Sequence, residues 1–191
     1  LRSGGSVEIQ EMILSIISWN IRTLSLDKLN SLINKYLYHY DIVNLQEITP
    51  ISNDTEDIIN KLKADFIIFV NNSLNKRCTG VLTMINKNIL RKFHIKSIKN
   101  VVIQKDRCSL ILLITEEKII RIFNVYQYCS NASRYKSLFN EINNKFKNSN
   151  NSLKHVYSLI CGDFNSYINC NDNINNLPHR YRHHFFDFIS N

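Results

Sequence analysis

Three polar positions in this chain each follow a short apolar run. Asn20 follows Ile16-Ile17-Ser18-Trp19, Glu47 follows Ile42-Val43-Asn44-Leu45-Gln46, and Asp163, with Asn165 two residues on, follows Leu159-Ile160-Cys161-Gly162. Apolar runs of this length are expected to be strands, and strand ends are where a sheet presents side chains to a ligand. A carboxylate placed there binds a hard cation through oxygen. Mg2+ takes one or two protein carboxylates and leaves its other positions to water and substrate phosphate, a role that suits Glu47. Amides such as Asn20 and Asn165 are donor and acceptor without charge, so they can orient a carboxylate or a water and donate to a phosphate oxygen. Asp163 can orient or deprotonate an attacking water. Singly, each residue has an ordinary explanation as a turn, surface or capping residue. Their order, each closing an apolar run, points to one site.

The elements that would position them alternate between strand and helix. A strand over Ile13 to Trp19 is followed by Leu26, Leu29, Leu32, Ile33, Tyr36 and Leu37 at helical spacing, with Ser25 as N-cap and Asp27 near the positive end of the dipole. Ile42 to Leu45 is a second strand, Thr55 to Leu62 a second helix and Phe66 to Val70 a third strand. From Thr79 the pattern reads as a meander of antiparallel hairpins through Val81–Ile85, Val101–Ile103, Leu110–Ile114 and Ile119–Tyr128. Asp106-Arg107 and Glu116-Glu117-Lys118 fall in its turns. A third helix starting near Asn131 or Ala132 carries Tyr135, Leu138, Phe139 and Ile142 on one face, and Val156 to Cys161 is a buried strand ending at Gly162. Helices outside sheets make an α/β sandwich the expected class.

A chain of 191 residues with 44% hydrophobic content buries one substantial core, so residues 12–191 are taken as one domain and 1–11 as an interdomain linker or a cloning scar outside it. The longest apolar runs, Met12–Ile17 and Leu110–Ile114, fall far short of the roughly 20 residues that span a bilayer, so no membrane partner is expected. Net charge +8, with Lys and Arg scattered along the chain, favours a polyanionic partner. Cys78, Cys108, Cys129, Cys161 and Cys170 are odd in number and include no C-x-x-C pair, which reads as reduced thiols. With no secretory signal in view, an intracellular and nuclear protein is expected. A zinc site from Cys170 with His179, His183 and His184 matches no standard ligand spacing and is set aside.

Together, Ser18-Trp19-Asn20, Asp41 to Glu47, Thr79-Gly80-Val81-Leu82, Asn124-Val125-Tyr126 and Cys161-Gly162-Asp163-Phe164-Asn165 resemble the endonuclease/exonuclease/phosphatase (DNase I-like) superfamily, nearest to LINE-type retrotransposon and abasic-site endonucleases. The resemblance runs from Ile13 to Asn191. It implies a four-layered α/β/β/α sandwich of two mixed sheets and a Mg2+-dependent endonuclease that nicks DNA, with Mn2+ as the alternative cation. Under it Glu47 is the metal ligand with Asn20 in the metal shell, while Asp163 and Asn165 handle the nucleophile and the developing charge on phosphorus. The family's phosphate-contacting tyrosine corresponds to Tyr126 by the Asn-Val-Tyr form, or to Tyr128 when Asn131-Ala132-Ser133-Arg134 is matched to an Asn-Ala-Gly-Arg segment. The two share strand parity. Arg22, Lys76, Arg77, Asn131 and Arg134 are the candidate DNA contacts. The family's terminal Ser-Asp-His motif has no counterpart before Asn191, and Phe185 to Ile189 resembles instead the helix that follows Gly-Asp-Phe-Asn. An incomplete domain, with further polyprotein domains C-terminal to Asn191, is therefore expected. The alternatives are a catalytically incomplete nucleic-acid-binding or assembly module, and a phosphoinositide- or sphingomyelin-type phosphoesterase.

Overall fold

The computed structural model of the chain describes residues 13–73, 78–128, 132–147 and 154–165. Its elements, in order, are β1 (Ile16–Asn20), α1 (Leu26–Lys35), a 3-10 turn (Leu37–His39), β2 (Ile42–Gln46), α2 (Asn53–Leu62), β3 (Phe66–Asn71), β4 (Val81–Asn86), α3 (Ile89–Lys92), β5 (Ser97–Gln104), β6 (Cys108–Ile114), β7 (Lys118–Tyr126), α4 (Ala132–Lys147) and β8 (His155–Asp163). They form two four-stranded sheets, ordered β1-β2-β4-β3 and β5-β6-β7-β8. Both are mixed: β1 runs parallel to β2 and β7 parallel to β8, and the other pairings are antiparallel.

Local chemistry starts and stops the helices as expected. The Ser25 hydroxyl accepts from the Lys28 N–H and caps α1, with Asp27 in the first turn; Ser52 does the same for α2 through Thr55, with Asp54 and Glu56 behind it. Leu29 and Leu32 of α1 and Ile59 and Leu62 of α2 bury their faces against Val43, Leu45, Leu82 and Met84 of the first sheet. On the far side, Leu138 and Ile142 of α4 pack on Leu110, Phe123 and Val125 of the second. Between the sheets lie Ile42, Ile85, Ile111, Leu113 and Ile122. The layers are thus α/β/β/α, and no helix among the described residues is long and apolar enough to cross a membrane.

Several expected boundaries shift. Rather than opening the meander, β4 lies between β2 and β3 in the first sheet, and α3 carries the chain across to the second, where only β5, β6 and β7 form the antiparallel run. Pairing with neighbours on both sides buries β4, which alternation in the sequence cannot distinguish from a hairpin strand. The first strand starts at Ile16, leaving Ile13 72% exposed, and β7 stops at Tyr126, short of Tyr128. Among the described residues β8 is the outer strand of its sheet and not a buried one, with Tyr157 and Leu159 exposed. Of the cysteines, Cys108 is buried, Cys161 half-buried and Cys78 exposed; Cys129 and Cys170 lie outside the described residues.

Candidate active site

The pairing register brings the polar strand ends together. Asn20 lies opposite Gln46 in the β1–β2 ladder, so Asn20 and Glu47 leave the first sheet side by side; Tyr126 lies opposite Asp163 in the β7–β8 ladder, so these two leave the second sheet in the same way. One amide joins the two groups. Asn20 Nδ2 donates to Glu47 Oε1 at 2.8 Å and to Asp163 Oδ2 at 2.5 Å. Its Oδ1 accepts the Arg22 N–H at 3.0 Å, which fixes which end of the amide is oxygen. Asn20 therefore turns its nitrogen to both carboxylates and bridges them.

The other residues close in from the second sheet. Asp163 Oδ1 accepts the Asn165 N–H at 2.8 Å, and Asn165 Nδ2 donates to the Gln127 carbonyl at 2.5 Å. Tyr126, 6% exposed, has Glu47 and Arg107 close enough to act on its hydroxyl. Burial pushes its phenol well above the ordinary tyrosine range, the neighbouring Glu47 adds to this, and the Arg107 cation offsets part of the rise. Of the two candidate tyrosines it is Tyr126 that meets Glu47. Tyr128, just past the strand, bonds the Gln127 side chain through its N–H.

Arg107 had no signature in the sequence. It sits in the turn between β5 and β6, and its guanidinium lies 4.5 Å from the Tyr126 ring and 4.3 Å from the Tyr128 ring. A lone basic residue in a polar turn is indistinguishable from a solvated charge until the turn's place beside the site is known. Of the basic candidates, Arg134 approaches the Tyr128 ring at 5.8 Å from the first turn of α4, and Arg22 is exposed beside Asn20. Lys76, Arg77 and Asn131 lie outside the described residues, as do His179, His183, His184 and the 185–189 run.

The backbone under the site is strained and braced. Arg22, Thr23, Glu47 and Asn165 all have positive φ, of 49°, 74°, 56° and 47°. Asn tolerates this region, but a β-branched Thr there costs about 1–3 kcal/mol. Lys28 Nζ offsets that cost by donating to the carbonyls of Ile21, Arg22 and Thr23, while the Thr23 and Leu24 N–H groups bond the carbonyls of Glu47 and Ile48. Gly162 is required just before Asp163: a Cβ there would sit 1.9 Å from the Val125 carbonyl oxygen, at φ +145°.

Beneath the site a buried polar seam ties sheet to sheet. Gln46 Nε2 donates to Asn124 Oδ1 at 2.8 Å, and Asn124 Nδ2 donates to the Leu82 carbonyl at 3.0 Å and to Thr83 Oγ1 at 3.2 Å. Gln46 and Asn124, 1% and 0% exposed, thus serve the cross-sheet register rather than the chemistry. Among the described residues no cluster of three or more His, Cys, Asp or Glu side chains forms a metal centre. Beside the site, between α2 and β3, a cleft of about 390 Å³ has Thr49, Pro50, Ile68 and Asn72 in its lining and neither carboxylate.

This architecture is shared with solved structures. The AP endonuclease LMAP from Leishmania major superposes with TM-score 0.61 at 15% identity over 93% of this chain and 66% of its own. TDP2 from Caenorhabditis elegans gives 0.53 at 17% identity over 80% and 47%. D. rerio TDP2 complexed with single strand DNA product gives 0.54 at 18% identity over 81% and 62%. At such identities the likeness establishes the DNase I-like fold alone. The chain spans between 47% and 66% of the length of these structures. No family model and no curated protein sequence matches it.

Proposed function

We propose that this chain is a metal-dependent phosphodiesterase domain that nicks DNA. The observation that carries this is the convergence, from two sheets, of Glu47, Asp163 and Asn165 around the Asn20 amide, with Tyr126 and Arg107 alongside. The basic chain, net +8, suits a polyanion, and the fold is one that DNA-processing enzymes use.

The donor set fits a hard, oxygen-preferring dication. One or two carboxylates with few other protein ligands is what Mg2+ accepts when it keeps most of its waters, and Glu47 would supply that ligand; Mn2+ would serve as well. Bound there, the cation would neutralise charge on the phosphate and strengthen the attacking water as a nucleophile. The chain's own residues do the rest. Asp163, held at both oxygens by Asn20 and Asn165, takes a proton from the water as its oxygen bonds to phosphorus. The bond from phosphorus to the 3′ oxygen breaks in line, and a solvent water gives that oxygen a proton, leaving a 3′ hydroxyl and a 5′ phosphate. Arg107 supplies a fixed cation to a phosphate oxygen, and the Tyr126 hydroxyl, kept protonated, supplies a donor. Arg22 and Arg134 flank the site as contacts to neighbouring phosphates, with Lys76, Arg77 and Asn131 from the adjoining loops. A nuclear, retrotransposon-type or abasic-site enzyme is the form this activity takes in our proposal.

Nicking of supercoiled plasmid at low salt, with Mg2+ and with EDTA, tests it against the Glu47→Ala and Asp163→Ala variants. Metal-dependent nicking lost in both is the expected result. Nicking that survives either substitution, or a folded chain that neither nicks nor binds DNA, overturns it. Binding without nicking identifies a nucleic-acid-binding module instead.

A further inference from the structure

Arg107 reaches the site from the second sheet, but the turn that carries it is held by the first. Asn71, the last residue of β3 and 5% exposed, spends its whole amide on that turn. Its Nδ2 donates to the carbonyls of Gln104 at 3.0 Å and Cys108 at 3.1 Å, and its Oδ1 accepts the Asp106 N–H at 3.0 Å. The turn needs such help. The β5–β6 register shifts between Val102 and Gln104, and Asp106 sits at φ +65°, so the hairpin closes through a bulge, with only the Gln104–Cys108 pair and the Arg107 N–H on the Gln104 carbonyl at 3.2 Å beyond it. Two lesser braces come from the same side: Ser73 Oγ donates to Asp106 Oδ2 at 2.7 Å, and the Gly80 N–H donates to the Asp106 carbonyl at 3.0 Å.

What the clamp presents is the next residue. The Arg107 carbonyl accepts the Tyr126 N–H at 2.7 Å, and its guanidinium is sandwiched against the rings of Tyr126 and Tyr128. Its Nη1 is shielded from solvent and has no hydrogen-bond partner among the described residues, which leaves donor capacity that an incoming acceptor would fill. A guanidinium held this way is oriented before a ligand arrives, so little side-chain entropy is lost on binding.

We propose that Asn71 is a positioning residue: by clamping the 104–108 turn across the sheet-to-sheet seam, it aims Arg107 at a phosphate oxygen of the substrate and acts on binding only through Arg107. This rests on the nuclease proposed above.

The test is a double-mutant cycle of Asn71→Ala and Arg107→Ala, read as affinity for an oligonucleotide across a salt series with metal chelated. Each single variant is expected to bind about tenfold more weakly and to lower the slope of log affinity against log salt by about 1, the signature of one lost phosphate contact. The double variant is expected to bind no worse than Arg107→Ala. Ser73→Ala, which loosens the same turn without opening the core, gives a smaller loss that also vanishes in the Arg107→Ala background and covers the case in which Asn71→Ala fails to fold. Overturning results are an unchanged salt slope in both clamp variants, or a loss that persists in full when Arg107 is already gone. A parent chain that binds no DNA removes the nuclease and the clamp together, whereas additive losses on a parent that binds remove the clamp alone.

Discussion

Replacing Asn20 by Asp exchanges a bridge for a third carboxylate. Its Nδ2 now stands 2.8 Å from one carboxylate oxygen and 2.5 Å from another. An aspartate there, relaxed to about 4 Å from each, meets two like charges worth about 4 kcal/mol apiece at an effective dielectric near 20. Partial exposure and salt at physiological strength reduce this, and a proton taken up by the cluster caps what remains. A rise of about two pKa units in the variant's shared carboxyl corresponds to about 2.7 kcal/mol. The sign follows from linkage. A carboxyl whose folded pKa is raised is harmless below its unfolded value, and it costs stability as pH rises through the folded value. Asn20→Ala, which loses the same hydrogen bonds without adding charge, is the reference. In urea unfolding with EDTA, Asn20→Asp should be less stable than Asn20→Ala by about 3 kcal/mol near pH 7.5, shrinking to about 1 near pH 4.5. A divalent cation should recover part of the difference at the higher pH. Equal stability of the two variants at both pH values would refute the idea that Glu47 and Asp163 share one amide.

Two further outcomes are expected. Gly162→Ala forces a Cβ into the Val125 carbonyl, so it should destabilise the chain by at least about 2–3 kcal/mol and abolish nicking at temperatures where the variant is still folded, as read by urea unfolding beside the plasmid assay. Tyr126, measured as the difference between the ultraviolet titrations of the parent and Tyr126→Phe, should ionise well above the ordinary range near 10. The stability its neutral form contributes is then full below that range and lost as pH climbs above it; ionisation at the ordinary value would mean that Glu47 and burial do not act on it.

The sequence showed most where backbone and side chain agree. Ser25 before an apolar period of 3.6 marked α1, and the polar residues closing apolar runs marked the site, because a strand end is a local event. Partners in space are not local. Val81–Asn86 carries the same strand signal whether it pairs with β3 or with β5, so its sheet was misjudged until the pairing was known. Tyr126 and Tyr128 have the same parity, and only the end of β7 at Tyr126 and the position of Glu47 separate them. Asn20 was expected close to Glu47, and the contact from its Oδ1 to the Arg22 N–H, which orients the amide, is one that no motif encodes. Arg107 and Asn71 escaped notice for a related reason: their roles are defined by a turn that meets another sheet.

Among the described residues, Asn20 and Glu47 belong to a sheet made from residues 16–86, whereas Tyr126 and Asp163 belong to one made from residues 97–163. Each sheet is contiguous in the chain and carries half of the constellation. During synthesis the first half emerges with Asn20 and Glu47 as partners to each other, and the second half supplies Asp163 and Tyr126 when the Gln46–Asn124 seam closes. The full constellation around the Asn20 amide is therefore a property of the docked pair that neither half possesses alone.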